Sequence, residues 1–487
     1  MERNNHFLFL GWEGKKRDYF LPVFLFTALF FLNACSDKAK EKPASNQAGQ
    51  NNAPVTVFKG KPNFILVLCD DMGWGDIEPN GGLIPTPSIS KLAKEGLIAT
   101  DYYSPANICS PARAGILTGR YPIRTGLGYE VILFDDKRTL PVSEQTIANL
   151  LKPDYATALI GKWHLGHTGT KWLPTNYGFD LFYGIPYSHD ILPLPLYDAD
   201  AKSGKLSSTR VDGSPELQQM FYKKAETFID ANKDKPFFLE LALSAPHLPE
   251  HPNRVFKGKS TFGAYGDVMM EIDSIIGRLL SKLRDLHLDK NTVVVLTSDN
   301  GAWFEGSNNP LRDRKGGPGY DGGYRVPFIA WAPAIIKPGK TGAILSGIDL
   351  LPTFVSMAGL SLPRNLEIDG KDISGVLTKG EPSPHDGIFL FNNEDIVGVR
   401  TQKWKYVTQT TYRGLTIPLE AVGFPELYDM SRDIAENYSV AATYPDTVKA
   451  MQDRIKKGQA YYASFKKGIP EAILKKKQEM HKSGKQD

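Results

Sequence analysis

The sequence predicts an α/β fold: a large, mostly parallel sheet flanked by helices, followed by a smaller C-terminal domain of antiparallel sheet plus helix. Three observations predict it. Short apolar runs without polar alternation, such as Asn63 to Leu68, read as strands buried on both faces. These runs alternate with amphipathic segments of helical period, the pattern of a parallel sheet with crossover helices. Polar and charged residues fall where the apolar runs end, the place where such sheets bind ligands.

The first residues are read as an address rather than as fold. Lys15-Lys16-Arg17 precede an apolar run from Phe20 to Leu32, too short to span a bilayer comfortably. The run ends in Leu32-Asn33-Ala34-Cys35, which resembles a bacterial lipobox, where cleavage precedes the cysteine and that cysteine is lipidated. Residues 1–34 are therefore expected to be a signal peptide and residues 35–60 a lipidated Cys35 with a flexible Ala/Asn/Gln/Lys-rich tether. The implied location is membrane-anchored, periplasmic or at the cell surface. The chain has only three cysteines; with Cys35 lipidated and Cys109 modified, Cys69 is left alone and no disulfide framework is expected.

From residue 61 the chain reads strand and helix in turn. Asn63 to Leu68 ends at Asp70-Asp71. A helix follows with Thr86 as cap, Pro87 at its first position and Gly96 as stop. Cys109-Ser110-Pro111-Ala112-Arg113 opens another helix that stops at Gly119, since Pro is tolerated in a first turn and Gly favoured past the last. Ser143-Glu144 is expected to open a helix through Leu151. Ala156 to Ile160 is a strand ending at Gly161-Lys162-Trp163-His164. Thr170 to Ser214, rich in Pro, Gly, Tyr and Asp, reads as a long loop lining or covering a site. Glu216 to Ala231 and Tyr265 to Leu286 are helices, the second amphipathic. Phe237 to Leu243 is a strand ending near His247, and Thr292 to Thr297 one ending at Asp299-Asn300-Gly301. A glycine-rich stretch from Lys315 to Gly323 leads to a strand at Val326 to Ala330.

After about Gly380 short alternating segments suggest a small antiparallel sheet, and Val448 to Phe465 a packing helix. The expected division is 61–380 for a catalytic domain, 381–474 for a small α+β domain and 475–487 for a Lys-rich, disordered tail. With 487 residues and a net charge of only +4, the chain is long enough for both units and is not a general nucleic-acid binder.

The strand ends carry a chemically coherent set. Asp70, Asp71, Asp299 and Asn300 supply carboxylate and amide oxygens, which favour a hard cation, Ca²⁺ or alternatively Mg²⁺, over zinc. Lys162, Lys315 and Arg113 supply positive charge for an anion. His164 and His247 are placed to move protons near neutral pH. Cys109 stands where a helix N-terminus favours an anion.

Cys-x-Pro-x-Arg opening a helix resembles the signature of the type I sulfatases. Asp70-Asp71, Gly161-Lys162-Trp163-His164-Leu165-Gly166, Tyr187-Ser188-His189-Asp190, Ala245-Pro246-His247, Ser298-Asp299-Asn300-Gly301 and Lys315…Gly322-Gly323 look like their counterparts in family order, so the resemblance spans most of residues 61–440. The arylsulfatase A and N-acetylgalactosamine-6-sulfatase branch looks most similar, although its many extracellular cysteines are missing here. The resemblance implies an alkaline-phosphatase-like fold and hydrolysis of sulfate esters. It implies that a maturase converts Cys109 to formylglycine, whose hydrate is the nucleophile. It implies that Asp70, Asp71, Asp299, Asn300 and the modified Cys109 hold the metal, and that Arg113 and Lys162 position the nucleophile. His164 would take the proton that releases sulfate, His247 and Lys315 would hold the sulfate and assist the leaving oxygen, and Ser188 would bond the substrate. The tether and the Tyr- and Asp-rich loop point to a sulfated carbohydrate as substrate, with a small aryl sulfate as the alternative. A two-zinc phosphatase or phosphodiesterase of the same superfamily is the rival; it needs a His beside its second metal aspartate, where this chain has Asn300.

Overall fold

The computed structural model describes residues 60–412 and 415–483. The expected signal peptide, the lipobox and Cys35 lie outside the described residues. Strand β1 (Asn63–Asp70) is buried at all eight positions and sits in the middle of a ten-stranded sheet. The other strands are β2 (Leu97–Ala99), β3 (Ala156–Lys162), β4 (Leu181–Ile185), β5 (Pro195–Asp200), β6 (Lys205–Arg210), β7 (Phe237–Pro246), β8 (Thr292–Ser298), β9 (Phe328–Trp331) and β10 (Gly339–Thr341). Their order across the sheet is β10-β2-β9-β8-β1-β7-β3-β4-β5-β6. The five central strands β8-β1-β7-β3-β4 run parallel. The flanks β2-β9-β8 and β4-β5-β6 are antiparallel. The sheet is thus mixed, with the parallel strands at its centre.

The period of two along the strands divides the core. Phe64, Leu66 and Phe238 face α2 (Cys109–Thr118) and the later helix Leu350–Met357. Ile65, Val67, Leu239 and Leu241 face α1 (Pro87–Glu95), α4 (Leu217–Asn232) and α5 (Gly263–Asp285). Burying both faces explains why these strands read as continuous apolar runs. The same arrangement brings the carboxyl ends of β1, β3, β7 and β8 to one edge.

A four-stranded antiparallel sheet is formed by β11 (Ile388–Asn392), β12 (Asp395–Arg400), β13 (Trp404–Val407) and β14 (Glu426–Asp429), with the helix Pro445–Tyr462 packed on it through Met451 and Ile455. Buried Lys405 of β13 reaches Asp321 at 2.5 Å and Glu436 at 2.6 Å, tying this sheet to the glycine-rich segment after Lys315.

Several expectations are corrected. The stretch from Thr170 to Ser214 is not a loop: it supplies β4, β5 and β6, and β6 is exposed at every residue, so its composition is that of an edge rather than of a core strand. Ser143-Glu144 does not open a helix. Glu144 pairs with Arg120, and the short α3 (Ile147–Leu151) starts at Thr146, whose hydroxyl accepts from Asn149 N. Thr86 precedes α1 but does not cap it: its Oγ1 accepts from Glu78 N, while the Asp273 carboxylate on α5 accepts from Ser88 N and Ile89 N. Lys475 to Ser483 is not an irregular tail, since it continues a helix from Glu471.

Candidate active site

The site forms around the N-terminus of α2, all ten residues of which are buried. Gly119 ends the helix in the left-handed region at φ 66°, with its N–H returning to Gly115 O. The helix lies across the carboxyl ends of the parallel strands, so Cys109 Sγ comes 3.5 Å from Asp70 Oδ1 and 3.9 Å from Asp71 Oδ1. Asp71 has φ 66° and His164 φ 59°, a conformation that is costly for non-glycine residues and recurs at functional sites. At Gly161 a Cβ would come within 1.8 Å of Ala242 O, so only glycine lets β3 and β7 approach closely enough to deliver Lys162.

Three carboxylates and three cations interlock here. Lys162 Nζ lies 2.8 and 2.7 Å from the two oxygens of Asp70. Lys315 Nζ is 2.7 Å from Asp71 Oδ2. Arg113 Nε is 2.8 Å from Asp299 Oδ2, and its Nη1 donates to Lys162 O. Burial opposes ionisation of Asp70, but Lys162, His247, Arg113 and Lys315 outweigh it and hold the carboxyl well below the usual range. Burial raises Asp299 to about 6 despite Arg113. Burial also raises the Cys109 thiol, although Lys162 and Lys315 pull the other way, so the bare cysteine is a poor thiolate.

Asn300 Oδ1, His164 Nδ1 and Arg113 Nη2 are buried here without a hydrogen-bond partner. Asn300 Nδ2 donates to Asp71 Oδ1 at 2.7 Å, yet its buried Oδ1 has no partner. The ligating atoms of Asp70, Asp71, Cys109 and Asp299 lie within 4.8 Å of one another. Three carboxylates plus a free amide oxygen fit a hard divalent cation. His164 Nε2 is 3.1 Å from Ile132 O, which makes Nε2 the protonated nitrogen and leaves buried Nδ1 as an unused lone pair. Burial, then Lys162, hold His164 well below its ordinary value, so it is neutral. His247 Nε2 is 3.6 Å from Asp71 Oδ2 and 3.3 Å from Ser188 Oγ. Asp70, Asp71, Cys109, Arg113, Lys162, His164, Ser188, His247, Asp299, Asn300 and Lys315 are thus gathered at one place.

Residues 62–360 match the family model described as "Sulfatase". This chain belongs to the sulfatase family. It is 34% identical over 450 residues to human arylsulfatase A, covering 80% of this chain and 86% of that protein. It is 33% identical over 459 residues to N-acetylgalactosamine-6-sulfatase of Mus musculus, covering 84% and 88%. Among solved structures it is similar to Ps i-CgsB in complex with k-i-k-neocarrahexaose, with 27% identity and a TM-score of 0.70 over 82% of this chain and 92% of that one. Membership makes this chain a sulfuric ester hydrolase.

Sequence reasoning missed residues that support the sulfatase site from behind. Asp76 accepts from Gly73 N, Ser307 N and Tyr265 Oη, and so ties the turn after Asp71 to the loop after Asn300. Glu240 lies mid-strand in β7, buried, with Oε2 unpartnered. It was visible as a carboxylate inside Phe237-Phe238-Leu239-Glu240-Leu241. Ile132 acts through its carbonyl, which no side-chain pattern announces.

Proposed function

We propose that this sulfatase removes sulfate from a sugar ester through a formylglycine made from Cys109, with one hard divalent cation, Ca²⁺ before Mg²⁺, held by Asp70, Asp71, Asp299, Asn300 and the modified residue. The observation that carries the reading is the presence of two unused buried atoms, Asn300 Oδ1 and His164 Nδ1, on residues of the site whose Asp70, Asp71, Cys109 and Asp299 cluster together. The cation, when bound, polarises the sulfate and offsets its charge. The hydrate of the formylglycine aldehyde at position 109 would supply the oxygen that attacks sulfur.

The residues divide the work by position. Arg113, Lys162 and Lys315 balance Asp70, Asp71 and Asp299 charge for charge. A dication added to that balance leaves net positive potential for the sulfate. Arg113 and Lys162 orient the nucleophile. His247, with Lys315, sits on the more open side and protonates the leaving oxygen. His164 Nδ1 accepts the proton whose loss reforms the aldehyde and releases sulfate. Proton transfer of this kind contributes about 10²- to 10⁴-fold. A sugar substrate is supported by the kinship with N-acetylgalactosamine-6-sulfatase and by the neighbour solved with an oligosaccharide. The lipobox-like Cys35 and the tether after it support an anchored enzyme outside the cytoplasm.

The test is the mass of the Cys109 peptide from native host material, alongside turnover of sulfated sugars and a nitrophenyl sulfate. The reading expects the aldehyde mass and a higher kcat/KM on a sugar. A free thiol in a fully active enzyme overturns it.

A further inference from the structure

We propose that Trp303, Phe304 and Arg314 form a binding platform for the sugar unit next to the sulfated one, so that the enzyme prefers an anionic oligosaccharide to a single sugar. This rests on the sulfated-carbohydrate reading above and names where the rest of that substrate goes.

The direction in which the site opens comes first. The side chains of Asp70, Lys162 and Asp299 are fully buried, whereas those of Lys315 and His247 are 13% and 9% exposed. The organic part of the ester therefore leaves past Lys315 and His247. Lys315 N donates to Ala302 O, which sets the segment after Asn300 beside the segment that carries Lys315. The next residues, Trp303 and Phe304, are 37% and 64% exposed, and they meet edge to face with ring centroids 4.7 Å apart. Isolated exposed aromatics are ordinary, but two adjoining ones beside the mouth of a polar site are not.

The platform is held rather than loose. Asn308 Oδ1 accepts from Ala302 N at 2.9 Å and its Nδ2 donates to Ala302 O at 3.0 Å, closing the loop that carries both rings. The Arg314 guanidinium stands 4.4 Å from the Phe304 ring centroid. It makes no ion pair among the described residues, so its N–H groups remain available to a sulfate or carboxylate on the neighbouring sugar. An aromatic face for the apolar side of a ring and a guanidinium for its anionic substituent together select a charged glycan unit.

Remote contacts of this kind raise turnover only for substrates long enough to make them. The experiment compares the enzyme with Trp303→Ala/Phe304→Ala and with Arg314→Ala on mono-, di- and tetrasaccharides of carrageenan and of chondroitin sulfate, and on a nitrophenyl sulfate. The double variant is expected to lose about ten-fold or more in kcat/KM on the preferred tetrasaccharide. It should change less than about two-fold on the aryl ester, which ends short of the platform. Arg314→Ala should lose only on chains whose neighbouring unit is anionic. In a second arm, Cys109→Ser protein with and without the double substitution is titrated calorimetrically with the same tetrasaccharides. Equal binding by both, or equal losses on short and long substrates, overturns the platform. Binding that depends on Trp303 and Phe304 while no sugar is desulfated keeps the platform and defeats the sugar-sulfatase reading instead.

Discussion

Glu240 offers a quantitative test of the site's electrostatics. It stands in the middle of β7, opposite Leu66 of β1 and Leu159 of β3, on the sheet face that carries α2. Burial pushes its carboxyl up to about 7 from an ordinary value of 4.5, and Arg113 counters only part of that. Between these two pH values the folded protein holds a proton that the unfolded chain has lost. Stability therefore falls as pH rises through this window and is lowest above it. At 1.36 kcal/mol per pH unit the gap amounts to about 3 kcal/mol. Glu240→Gln removes the titration while keeping the shape. The amide adds its own burial cost, but that cost does not vary with pH. The stability of Glu240→Gln relative to the parent should therefore rise by about 3 kcal/mol between pH 4.5 and pH 8, a relative gain of roughly 3–6 °C in Tm for a chain of this size. Calorimetric melting of both proteins at several pH values in that range decides it. Parallel Tm curves would refute the reasoning and mean that Arg113 holds Glu240 ionised throughout.

Other outcomes follow from the same geometry. Lys405→Met should strand the buried Asp321 and Glu436 carboxylates and cost about 3–5 kcal/mol, read as a large drop in Tm that Lys405→Arg partly restores. Asp299→Ala should abolish most turnover and most bound metal, measured by elemental analysis; stoichiometric zinc in the parent enzyme would instead favour two-metal phosphate chemistry. His164→Ala should leave substrate binding largely intact but slow sulfate release, so that a burst of alcohol precedes a slow steady rate; loss of the burst as well would place His164 in the first step. Cys35→Ser should leave an uncleaved or mislocalised precursor when membranes are fractionated, and normal processing would remove the lipobox assignment.

Much of the catalytic chemistry is written in local sequence. Asp70-Asp71, Lys162, His164 and Asp299-Asn300 each follow an apolar run, and a parallel sheet brings such ends to one edge whatever lies between them. Pro111 and Gly119 delimit α2 through backbone preferences that act within a few residues. What only the tertiary structure decided depends on partners distant in the chain. The stretch from Thr170 to Ser214 carries the residues of a loop, yet it continues the sheet because β4 finds the open edge of β3. Helix α1 is capped by Asp273, 184 residues from Ile89, so no local pattern could assign its cap. Orphaned atoms such as Asn300 Oδ1 and His164 Nδ1 can be recognised only once the fold shows which donors and acceptors around them are paired. Local sequence determines which groups a segment can offer; long-range packing determines which of them remain free, and the proposed metal binding and proton transfer use those free groups.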